Sequence, residues 1–173
     1  MSWITTHSGV RFDFLNPSVE MVNIEDIAHA LARLCRFNGH CSGFYSVAEH
    51  CSHIAYTLSS RDAPLDDVRL GLMHDASEAY AGDVASPLKA LLPDYTSIEK
   101  RIQGVIAKRF ALNMSSWPTV DAVDKAIFYT EAEQMLSHPP PRPEHCPVID
   151  VDIEGWLPEE AEARFLLAYS RWF

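Results

Sequence analysis

From Asn23 to near its end, the chain repeats apolar residues three and four positions apart, a spacing that permits little besides packed amphipathic helices. Ile24, Ile27, Leu31 and Leu34 form the first such stripe, with Asn23 suited to cap its start and Asn38-Gly39 to stop it. A second helix is expected from Ser46, with Val47, Cys51, Ile54 and Leu58 on one face. Pro64, Asp66 and Asp67 announce a third through about Tyr80, ended by Gly82. A fourth is expected over about 95–110, a fifth over about 119–136, and a closing helix from Pro158 to Trp172. The proline-rich run from His138 to Pro147 reads as a loop. Ahead of all this, Trp3–Thr6 and Val10–Phe14 flank a His7-Ser8-Gly9 turn, the pattern of a short β-hairpin. The expected fold is therefore all-α, a single domain over residues 1–173, with a short N-terminal hairpin.

Composition bounds what such a domain can do. With 47% hydrophobic and 22% charged residues, the chain can bury a core and is not disordered. No basic stretch followed by an apolar run suggests a secretory signal, and no stretch suggests a membrane span. Cys35, Cys41, Cys51 and Cys146 show no CxxC spacing and read as reduced thiols, so a cytoplasmic location is expected. Acidic residues outnumber basic ones 24 to 14, for a net charge of −10, which argues against nucleic-acid polymers as partners. A small anion remains compatible if a metal and local cations offset the field. Neither a polymer nor a membrane is an expected partner; the expected assembly is a homo-oligomer.

The third expected helix concentrates the chemistry. His74, Asp75 and Glu78 lie on one arc beside the apolar stripe of Val68, Leu72, Ala76 and Ala79. Imidazole nitrogen and carboxylate oxygen suit a divalent ion, whereas unpaired charges bordering a buried face are costly. Alone, a His-Asp dipeptide or an i,i+4 His-Glu pair is unremarkable in this composition. His50 on the second helix faces the same core while Glu49 is expected to point away and His53 to sit at the boundary. Asp124 borders the Val120–Val123–Ile127 stripe of the fifth. Each singly reads as a core histidine or an ion-pair partner; together they offer two imidazoles and two carboxylates to one bundle core.

The segments SVAEH (46–50), LMHDASEAYAGD (72–83), SPLK (86–89) and VDKA (123–126) resemble the HD superfamily of phosphohydrolases. They are most similar to its compact branch, which includes bacterial 5′-deoxynucleotidases and phage deoxynucleoside triphosphohydrolases. The resemblance implies a divalent metal ion (Zn, Co, Mn, Fe or Mg) held by His50, His74, Asp75 and Asp124. It also implies Glu78 as catalytic acid/base, Asp83 as an orienting carboxylate, Lys89 and Arg36 as phosphate contacts, and Phe37 as the aromatic beside the substrate. Some relatives carry a tryptophan where this chain has Phe37. The implied reaction is hydrolysis of a nucleotide, leaning to a deoxynucleoside triphosphate of the dATP type over a 5′-monophosphate.

Other readings start from the same residues. Arg36 could simply cap the end of the first helix, and Lys89 could be a solvated lysine. Cys35, Cys41, His50 and His53 are the right types for structural zinc, but C-x5-C-x8-H-x2-H matches no finger spacing. A catalytically inactive HD fold that binds nucleotides is the third alternative.

Overall fold

The computed structural model describes residues 1–173 and is mostly helical, with one small two-stranded sheet. β1 (Trp3–Thr5) and β2 (Arg11–Asp13) pair antiparallel, with Ile4 opposite Phe12. Their turn closes through Thr6 and Gly9, and Gly9 takes φ +85°, a left-handed conformation glycine enters at little cost. Asp26 ties that turn down, accepting hydrogen bonds from the Ser8 backbone N–H at 2.6 Å and its hydroxyl at 2.8 Å. Phe12, fully buried, stacks on Tyr80 at 3.9 Å between centroids, so the hairpin covers one side of the chemistry-bearing segment.

The helices are α1 (Ile24–Leu31), α2 (Val47–Ser60), α3 (Leu65–Met73), α4 (Glu78–Ala81), α5 (Ser86–Lys89), α6 (Pro93–Arg109), α7 (Trp117–Met135) and α8 (Pro158–Trp172). Asn23 and Ser46 cap α1 and α2 as expected, accepting from the N–H groups of Asp26 and Glu49. The run 138–147 is irregular, pinned by Arg142, which donates to the carbonyls of Ala126 and Pro147. No helix is long and apolar enough to cross a membrane.

Several expectations are corrected. The first helix stops at Leu31, because the chain turns extended at Cys35 to meet the stretch ahead of α2. Cys35 bridges Ser46, and the Arg36 N–H donates to the Tyr45 carbonyl at 2.8 Å. Arg36 thus opens a short 3-10 turn (Arg36–Gly39) beyond the end of α1, and capping of that helix does not account for it. The third helix is not continuous: across His74–Ser77 the backbone bonds tighten to i→i−3, as in Ala76 N–H to Met73 O and Glu78 N–H to Asp75 O. The short α5 falls between the third and fourth expected helices, where no apolar period marks a helix. Glu49 does not point away. It is fully buried and its carboxylate accepts the backbone N–H groups of Glu154, Gly155 and Trp156 at 2.8–3.0 Å, anchoring the approach to α8.

The packing of α2 against α3 is close, and a glycine makes it so. A Cβ on Gly71 would meet Leu58 Cδ1 at 2.7 Å and Ile54 Cγ2 at 3.1 Å. Phe165 and Ala168 of α8, fully buried, belong to the same core; burying a side chain the size of phenylalanine contributes about 1.5–3 kcal/mol. This tight seam brings the imidazole of α2 beside the one that follows α3.

Candidate metal centre

His50 projects from the first turns of α2 and His74 caps the end of α3, their ring centroids 5.2 Å apart. Each ring is fixed by its far nitrogen. His50 Nδ1 hydrogen-bonds the carboxylate of Glu131, and His74 Nδ1 donates to the Gly71 carbonyl at 2.9 Å. With an N–H on Nδ1 in both, each Nε2 faces the space between the helices and can offer it a lone pair once its own proton is displaced. Both Nε2 atoms are buried and neither has a hydrogen-bond partner. Such orphans are costly unless a further group meets them.

Two carboxylates complete the set. His74 Nε2 lies 3.2 Å from Asp75 Oδ2 and 4.0 Å from Asp124 Oδ1; His50 Nε2 lies 3.2 Å from Asp124 Oδ1 and 3.6 Å from Asp75 Oδ2. Donors about 2.0–2.2 Å from one divalent ion stand roughly 3–3.5 Å apart at neighbouring coordination positions, with wider pairs across the ion. His50, His74 and Asp124 bring donor atoms within 4.8 Å of one another and so fit a metal ion, while Asp75 lies at the edge of that set and groups with His74 and Cys51. The histidines are buried, while the side chains of Asp75 and Asp124 keep 23% and 35% of their surface exposed, so the centre opens on its carboxylate side.

The electrostatics follow from burial and pairing. Burial opposes charge on His74, yet Asp75 beside it lifts its pKa well above the usual histidine value. Burial and the Arg36 guanidinium oppose charge on His50, and Glu131 and Asp124 overcome them to raise it. Asp75 and Asp124 move the other way: burial pushes them up, and the histidines more than reverse it. These are charge pairs held together by protons, and a divalent ion bound by the same atoms would release those protons.

Glu131 joins this cluster although the sequence alone does not single it out. It is fully buried on α7 and accepts from His50, from the Tyr45 hydroxyl at 2.6 Å and from Arg36 Nη2 at 2.8 Å. Burial raises its pKa, but Arg36 and His50 hold it well below the usual carboxylate range. A sequence signal existed: Glu131 follows Ile127 by four and Asp124 by seven, on the inward face of the same helix. A carboxylate that orients a ligating histidine is a common outer support of metal sites.

The remaining expected residues gather on the open side. Arg36 reaches 4.0 Å from Asp75 while paired to Glu131, and Phe37 follows it at φ +54°. Glu78 is buried with Oε2 unpartnered; burial, Asp75 and Asp83 push its pKa well above the usual value. Asp83 is raised chiefly by burial. Lys89 stands 3.7 Å from Glu78 but bonds Glu99 at 2.6 Å, so its charge is already shared by two acids. The zinc alternative is not assembled: Cys35 and Cys41 adjoin each other, His50 faces His74, and His53 lies 3.5 Å from Glu49.

No family model matches the chain. Protein YfdR of Escherichia coli, an uncharacterized protein, is 39% identical over 135 residues, covering 78% of this chain and 73% of YfdR. An uncharacterized protein of Rhodobacter capsulatus is 38% identical over 117 residues, covering 64% of this chain and 59% of that protein. At that identity and coverage, the chain belongs to the family of YfdR.

Proposed function

We propose that this protein is a metal-dependent phosphohydrolase of the HD type, acting on nucleotides. The observation that carries the reading is the pair of buried, unpartnered Nε2 atoms of His50 and His74 facing the carboxylates of Asp75 and Asp124. His50, His74, Asp75 and Asp124 would hold the ion. Once bound, a divalent cation there would polarise a phosphoryl oxygen and acidify water. Glu78, buried and inclined to keep its proton, suits proton transfer to or from the reacting oxygens. Arg36 can hold phosphoryl oxygens through the edge of its guanidinium not used by Glu131. Phe37 lies beside that cation, 5.6 Å from ring centroid to guanidinium carbon, and offers a flat apolar surface to a base. Asp83 and Lys89 border the same opening and would orient water and the leaving group.

The resemblance leans to a deoxynucleoside triphosphate. A specific observation favours the monophosphate as a second reading: both cations at the opening are already engaged by acids, Arg36 by Glu131 and Lys89 by Glu99. Fewer free positive charges suit a substrate with fewer negative ones. The test is a panel of deoxynucleoside mono- and triphosphates, assayed with metal-stripped and metal-reconstituted protein, with products resolved by anion exchange. Metal-dependent release of tripolyphosphate or of phosphate supports the reading and chooses between its forms. Saturated metal with no release from any nucleotide overturns it.

A further inference from the structure

The loop between α1 and α2 holds a feature that the metal centre does not use. Cys35 and Cys41 lie six residues apart with their sulfurs 3.5 Å from each other. Three consecutive left-handed residues bring them together: Phe37 at φ +54°, Asn38 at +52° and Gly39 at +74° curl the chain back on itself. Both thiols are half-buried, so a small reagent can reach them, and Cys41 also leans on the Arg36 carbonyl at 3.7 Å. The remaining two cysteines stand apart: Cys51 is fully buried, its thiol pushed up to about 11 by burial, and Cys146 lies against its neighbouring Pro147 carbonyl.

We propose that Cys35 and Cys41 are a reversible disulfide site that locks the loop carrying Arg36 and Phe37 and so sets anion affinity at the metal centre. The control of anion binding rests on the proposed function; the disulfide itself does not. A disulfide needs its sulfurs about 2 Å apart, so the pair closes by about 1.5 Å, within reach of side-chain rotation and slight tightening of the curl. The oxidant is a small-molecule disulfide such as oxidised glutathione. The Cys35 thiolate attacks one of its sulfurs and expels a glutathione thiolate, leaving a mixed disulfide. Cys41 then loses its proton to water and attacks the Cys35 sulfur, expelling the second glutathione thiolate. Two protein thiols are oxidised and one small disulfide is reduced to two thiols. Burial and the neighbouring Cys35 raise the Cys41 pKa, which assigns it the second, intramolecular step, where proximity offsets a low thiolate fraction. Arg36 and Phe37 lie inside the closed ring, so closing it fixes the backbone that aims the free edge of the guanidinium, the edge Glu131 does not hold, at an incoming anion.

The test uses the full-length, metal-loaded protein incubated with oxidised glutathione. The expected intact mass is lower by two hydrogens, and trypsin, which cuts after Arg36, yields two peptides joined by one disulfide. C35S and C41S should each abolish the cross-link, C146S should not, and dithiothreitol should reverse it. Persisting glutathione adducts, no mass change, or a cross-link through Cys51 or Cys146 would overturn the site. Calorimetric titration with inorganic phosphate then reads the consequence without any turnover. Severalfold different affinity between reduced and oxidised protein, absent in C41S, supports control of the anion site. Equal affinity, or no binding in either form, overturns that control while leaving the disulfide standing. Nucleotide turnover, assayed separately, decides the phosphohydrolase reading itself.

Discussion

Glu131 stands directly behind His50, its buried carboxylate accepting the proton that fixes the imidazole with Nε2 toward Asp124. The same carboxylate holds Arg36 and Tyr45, so one side chain on α7 positions the His50 imidazole and the Arg36 guanidinium together.

Replacing Glu131 with Gln tests that arrangement. An amide can accept from only one side, and its NH2 group then faces a donor among His50, Arg36 and Tyr45. Metal affinity should fall about 10–100-fold, the usual cost of losing such a support. Competition titration against a metal-chelating dye measures it; unchanged affinity would show that His50 needs no orienting partner.

His74→Ala and Asp75→Ala should each lose bound metal and activity together. Both side chains contribute an atom to the cluster around the buried Nε2 orphans. Elemental analysis of the purified variants is decisive, and a full complement of metal in both would remove these residues from the centre.

Glu78→Gln should keep the metal and lose turnover by about 10²–10⁴-fold, the range for a group that moves a proton in the rate-limiting step. Its carboxyl is buried beside Asp75 and Asp83, which is why it favours the protonated form. A variant turning over at the parental kcat with saturating metal would exclude it from proton transfer.

The metal-free protein should have an inverted pH response on its alkaline side. Burial opposes the charged form of His74, but Asp75 raises its pKa above the usual histidine value of about 6.5. A raised folded value means the His74–Asp75 pairing stabilises fully below that usual value and is lost as pH climbs through the raised one. On the acid side, Asp75 and Glu131 are depressed, so their contribution holds above the usual carboxylate range and fades as pH falls toward their folded values. In chelator, Tm should therefore decline as pH rises from near the usual histidine value through the raised His74 value. Bound metal replaces the protons and should remove or reverse that decline. Melts showing the same alkaline slope with and without metal would refute the coupling.

The helices were legible because their apolar period is local, and so were His50, His74, Asp75 and Asp124, which border those stripes. Most of what the sequence does not disclose depends on long-range contacts. α2 is buried on nearly every face, so a stripe could not tell which polar residue looks outward; Glu49 turns inward because residues 154–156 supply three N–H groups a hundred positions away. Helix α1 ends early because Arg36 pairs with the Tyr45 backbone, a partner that no helical periodicity encodes. The break across His74–Ser77 falls in residues of ordinary helical tolerance, with no Gly or Pro to mark it. Glu131 was hidden among the acids of α7 until Tyr45 and Arg36 converged on it.

That convergence changes what Arg36 substitutions should do. On a helix end, Arg36→Ala would cost about 0.3–1 kcal/mol of stability and leave the metal alone. Here Arg36 is the cation against a fully buried carboxylate, 2.8 Å away, and removing it leaves Glu131 charged without its main compensation. Breaking one side of such a pair costs about 3–5 kcal/mol; the hydrogen bonds Glu131 keeps from Tyr45 and His50 place this case near the lower end. Glu131 should then take up a proton more readily and release its hold on His50, so metal affinity should fall along with Tm. Arg36→Lys restores the charge but not the planar fork that spans Glu131 on one edge and an anion on the other. It should recover most of the Tm and metal affinity, yet leave kcat/KM for the nucleotide well below the parental value. Thermal melts, metal titration and kinetics on the two variants separate the roles. If Arg36→Ala melts and binds metal like the parent, the Glu131 pairing carries no weight; if Arg36→Lys restores kcat/KM in full, the guanidinium does not grip the phosphate.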